Sequence, residues 1–67
     1  MSATTKQFIK YQIKETKENK MFLLMPGEYK EAINMKQRGC TITEIFDRLT
    51  GKDPALVDLI TIKQEIV

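Results

Sequence analysis

Five lysines near the start of this 67-residue chain are the residues whose type and spacing point most directly to a chemistry. Lys6, Lys10, Lys14, Lys17 and Lys20 recur at intervals of three or four. Only Glu15 and Glu18 stand against them in residues 1–20, leaving a net +3. Residues 21–67 carry six basic and seven acidic side chains, a net −1. A cationic stretch interleaved with Phe8 and Tyr11 can track a phosphate backbone. It can equally be a solvated strand face whose lysines blunt a sheet edge.

Other chemistries find little support. Histidine, the commonest general base, is absent, and no nucleophile–base pair stands out. The nine carboxylates are scattered among lysines, and no cluster has the spacing of metal ligands. No enzyme activity, metal or cofactor is expected. Cys40 is the single cysteine, so no internal disulfide can form; between Gly39 and Thr41 it reads as a small turn residue. A lone cysteine fits a reducing compartment. The longest apolar run, Met21 to Met25, is far short of the ~20 residues of a membrane span. These features lead to an expectation of a soluble, cytoplasmic protein.

The elements that must position these side chains are legible to different degrees. Thr41 to Gly51 is the clearest. Thr41 and Glu44 have capping-box spacing, which contributes about 1 kcal/mol. Ile42, Ile45, Phe46 and Leu49 fall on one helical face, and Gly51 stands where a left-handed residue ends a helix. Gln7 to Lys14 alternates as a strand, with Ile9, Tyr11 and Ile13 on one side and Phe8, Lys10, Gln12 and Lys14 on the other. A helix over Thr4 to Asn19 competes, but it would stack Lys6, Lys10 and Lys14 at like-charge spacing. Glu15 to Asn19 is a polar connector. Lys20 to Met25, closed by Pro26, reads as a second strand pairing antiparallel with the first. Glu28 to Arg38 reads as a helix with Tyr29, Ala32, Ile33 and the Lys36 stem inward and Met35 off that stripe. Asp53-Pro54 has the form of a helix start. Beyond it, a helix over 54–60 followed by a strand over 61–66, and a single helix to Ile66, are both open.

Together these give one small α+β domain over residues 1–67, an N-terminal β-hairpin packed on two or three short helices, with residues 1–5 frayed. A chain this short buries only roughly 60% of its unfolded surface, so a homodimer is a natural way to gain stability.

The segment GCTITEIFDRL, Gly39 to Leu49, resembles the first helix of helix-turn-helix DNA-binding proteins. The resemblance implies a recognition helix beginning at Pro54, with Arg48 and Lys52 near phosphates. It departs from the pattern at Phe46, where a small residue is usual, and in the longer turn Thr50 to Asp53. The order KMFLLMP, GEYKEAINMKQRG, TITEIFDRL is also similar to ribbon-helix-helix repressors, although neither face of this strand offers base-reading groups.

Two functional expectations follow. The first is a small non-enzymatic regulator that binds double-stranded DNA through Lys10, Lys14, Lys17, Lys20, Arg48 and Lys52. The second is a protein-binding inhibitor or antirepressor module acting through an apolar surface of Phe22, Leu24 and Met35. The core strand is the plainer reading of Met21 to Met25. A net charge of only +2 favours the second function, since strong nucleic-acid binders are usually more basic.

Overall fold

The computed structural model describes residues 5–66, so residues 1–4 of the segment expected to fray lie outside the described residues. The chain runs β1 (Thr5–Ile13), β2 (Asn19–Leu23), α1 (Pro26–Gln37), α2 (Ile42–Thr50), a 3-10 turn (Pro54–Leu56) and β3 (Val57–Ile66). The strands form one antiparallel sheet in the order β2-β1-β3. The α+β class and the N-terminal hairpin packed on helices are as read from the sequence.

Alternation in β1 decides the architecture. Ile9 and Tyr11 are buried under the helices with Leu24, Ala32, Met35, Ile45, Phe46, Leu49 and Val57. Each large apolar side chain fully withdrawn from water contributes about 1.5–3 kcal/mol. The fold is only 16 Å thick, which accommodates one sheet and one helical layer. The other face of the sheet therefore has no layer over it. Phe8 lies on that face but is buried, beneath the Lys6 ammonium 5.5 Å from its ring centre.

The capping of α2 is realised in full. The Thr41 hydroxyl accepts from the Glu44 amide at 3.3 Å, and the Thr41 amide donates to Glu44 Oε1 at 3.3 Å. Gly51 ends the helix at φ 70°, a backbone conformation costly to residues with a Cβ. Ile45, Phe46 and Leu49 are buried as expected; Ile42 stays 39% exposed.

Three expectations are corrected. Residues 57–66 form a strand against β1, so the strand over 61–66 is present, but no helix reaches Ile66 and the helix over 54–60 is not formed. Asp53 does cap, accepting from the Ala55 amide at 2.9 Å, but it starts a single 3-10 turn. The β-branched run Ile60-Thr61-Ile62 then pairs with the open side of β1. Met35 is buried rather than stranded on an outer face, and Lys36 is exposed. The helix has two packing partners, α2 and the sheet, so its inner surface is wider than a single stripe. Leu24 likewise sits in the core, just past the end of β2, its amide donating to the Gln7 carbonyl at 2.9 Å.

Candidate nucleic-acid interface

Register places the uncovered face side by side. Lys10 stands between Met21 of β2 and Thr61 of β3, and Phe8 between Leu23 and Lys63. Lys6 faces Glu65, and Gln12 lies between Asn19 and Asp58. The surface thus offers three cations, Lys6, Lys10 and Lys63, among amide and hydroxyl groups from Gln12, Asn19 and Thr61. Its apolar part is Met21, 48% exposed, and Leu23, 60% exposed. Among the described residues neither Lys10 nor Lys63 is held in an ion pair.

A β-bulge shapes one side of this face. Two residues of β3, Leu59 and Ile60, stand where β1 has only Tyr11. Leu59 takes φ 54°, a strained conformation for a branched side chain, and its amide donates to Asp58 Oδ1 at 2.8 Å. Leu59 is 65% exposed and borders a shallow depression with Lys10, Asn19, Thr61 and Lys63.

The remaining sequence-predicted cations divide. Lys14 and Lys17 lie in the hairpin turn, where Lys17 holds φ 63° and its amide donates to the Ile13 carbonyl at 2.8 Å. The Lys14 amide donates to the Leu56 carbonyl at 3.1 Å, which ties the hairpin to the 3-10 turn. Lys52 borders a depression with Tyr11, Ile13, Leu56 and Val57, so it sits at this same end of the sheet but on its helical side. Lys20 is engaged by Glu18 at 3.2 Å. Hydrogen bonding and charge attraction from Lys20 hold the Glu18 carboxyl below its ordinary pKa.

Arg48 does not join this group. It is on the helical layer, its Nε 2.9 Å from Glu31 Oε1, in a depression that also holds Glu28, Glu44 and Asp47. A phosphate brought there would meet four carboxylates. The helix-turn-helix resemblance placed Arg48 near DNA, but the recognition helix it required is β3. Phe46, the departure noted within that resemblance, is fully buried against the sheet. The ribbon-helix-helix order is present, but its strand, β2, pairs within the chain with β1.

The three residues expected to form an apolar interface also separate. Leu24 and Met35 are core, and Phe22 is half-buried against it. The exposed apolar side chains of β2 are instead its odd-numbered members, Met21 and Leu23. Lys63 escaped the sequence reading because its place beside Phe8 depends on a strand pairing across 55 residues. The alternation of Thr61, Lys63 and Glu65 against Ile60, Ile62 and Ile66 was the available signal.

Among the described residues there is no group of metal-ligating side chains and no helix long and apolar enough to cross a membrane. No protein-family model matches the chain, and no curated protein or solved structure shows significant similarity to it.

Proposed function

We propose that this chain is a small non-enzymatic regulatory protein that binds double-stranded DNA through the uncovered face of its sheet. The observation that carries the reading is the convergence of Lys6, Lys10 and Lys63 on that face, with Lys14 and Lys17 in the hairpin turn at its end. Sheets enter the major groove in several DNA-binding architectures, and a twisted three-stranded face has the shape to do so. In this arrangement the lysines contact phosphates. Gln12, Asn19 and Thr61 supply hydrogen-bonding groups for base edges, and Met21 or Leu23 meets thymine methyls. The acidic depression between the helices disfavours binding from the opposite side, so the charge distribution orients the approach.

A second reading has its own support. Met21 and Leu23 are exposed on β2 beside buried Phe8, and Leu59 is exposed across Lys10 on β3, which suits an inhibitor or antirepressor that docks on another protein. The two readings separate on salt. Fluorescence anisotropy with a mixed-sequence duplex should give an affinity that falls with log salt by about 0.9 per phosphate contacted. Absence of binding at low salt would sink the DNA reading and leave the protein-docking surface. The free Cys40 thiol accords with a cytoplasmic setting in either case.

A further inference from the structure

The outer edge of β3 is the largest unmet pairing surface of the fold. Its ten residues pair with β1 on one side only. Alternate N–H and C=O groups on the other side point away from the sheet, a template for another strand. Edge strands are commonly protected by proline, by bulges or by inward-pointing charge. Between Thr61 and Ile66 this edge has no proline, and the bulge at Leu59 and Ile60 lies before that stretch. On the helical side an apolar groove runs beside the edge, lined by Tyr29, Ile33, Ile42, Ile45, Ile60 and Ile62. This explains why Ile42, with the right spacing for burial, remains part-exposed.

We propose that a second copy of this chain covers the edge, pairing β3 with β3 antiparallel about a two-fold axis at Gln64. The sequence of the strand selects this occupant and this register. Across the axis Lys63 of each copy stands opposite Glu65 of the other, so two opposite-charge pairs form on the uncovered face. Moving the axis to Lys63 would set lysine against lysine. On the helical face the same operator sets Ile66 opposite Ile62, twice. Ile66 is 72% exposed, on the side of the sheet where its own helices no longer reach. Ile62 borders the groove that lacks cover. Each copy thus supplies the apolar side chain that the other is missing, which is the self-complementarity an isologous interface requires. The product is a six-stranded sheet, β2-β1-β3-β3-β1-β2, with all four helices on one face. The inference rests on the edge and the groove; it takes Lys63 into a pair across the axis, so that Lys6 and Lys10 are the cations the dimer leaves for a ligand on the uncovered face.

Sedimentation equilibrium of the 67-residue chain over a range of concentrations, with circular dichroism to verify folding, tests this. The expected mass is twice 7.8 kDa. Lys63→Glu and Ile66→Asp should each weaken dimerisation roughly tenfold or more, since like charges or an unpaired carboxylate then meet across the axis. The double swap Lys63→Glu with Glu65→Lys should restore it, because the charges again alternate. A folded chain that stays monomeric at every concentration overturns the proposal and leaves the edge to a foreign strand. A dimer unaffected by both single changes also overturns it, because association then uses another surface.

Discussion

The Tyr11 and Phe46 rings meet edge-to-face, their centres 5.0 Å apart and their planes at 68°. This contact joins the central strand to the best-defined helix across the core. Such pairs contribute about 0.5–1.5 kcal/mol beyond the area they bury. Phe46→Ala should cost about 3–5 kcal/mol. A core this small supplies stability of about that size, so the variant should lack a cooperative thermal transition. Phe46→Leu, which keeps most of the volume, should retain one at lower temperature.

The ends of α2 give smaller, separable effects. Thr41→Ala removes a side-chain acceptor and should cost about 1 kcal/mol. Gly51→Ala puts a Cβ into a left-handed residue and should cost about 1–2 kcal/mol. Space is not the obstacle at Gly51, since nothing lies within 4 Å of an added Cβ. Urea titration of each variant checks both values, and a neutral Gly51→Ala would contradict the conformational explanation.

Changing Lys6 and Lys10 together to glutamine should lower affinity for duplex DNA at low salt and reduce the salt slope by about 2. Arg48→Gln, altering a cation already paired with Glu31, should leave the slope unchanged. Equal effects from the two variants would remove the sheet face from the assignment.

Leu59→Asn should stabilise the fold by about 1 kcal/mol, because asparagine tolerates the left-handed conformation and little apolar burial is lost. If DNA is the ligand, its affinity should change little. If a protein docks on the patch of Met21, Leu23 and Leu59, its affinity should fall while the melting temperature rises. The bulge thus links the choice between readings to a measurement of stability.

Glu18 should titrate below an ordinary glutamate, and Lys20→Met should return it towards the ordinary value, as followed by carboxyl chemical shifts. A depressed folded-state pKa means the native state binds the proton less readily than the unfolded chain. The associated stabilisation is therefore present above the unfolded-state pKa and fades as pH falls through the lower, folded one. Exposure of both side chains to solvent keeps that contribution small.

The parts of this fold legible in the sequence are those whose causes are local. Thr41, Glu44 and Gly51 define α2 within eleven residues, and alternation in β1 is visible in the strand itself. β3 was ambiguous because Asp53-Pro54 carries a true helix-start signal that is used for only one turn. What overrides it is a partner strand at the far end of the chain. The same non-locality concealed Lys63, whose place among the cations depends on register. Met35 was misplaced for another reason: a single-stripe template fails when a helix packs on a second helix and a sheet at once.

The central position of β1 also bears on how the chain comes to be folded. β1 and β3 pair from Thr5 with Ile66 to Ile13 with Val57, so everything from Ile13 to Val57 is the loop between them. Closing that loop costs chain entropy before the pairing returns any stabilisation, which slows folding relative to a helical bundle of equal length. During synthesis β1 and the hairpin emerge first, with one side of β1 lacking its partner strand until the last residues of β3 arrive. The apolar row of Ile9 and Tyr11 is meanwhile covered only in part. For a nascent chain this is the interval of greatest exposure to aggregation and to chaperones.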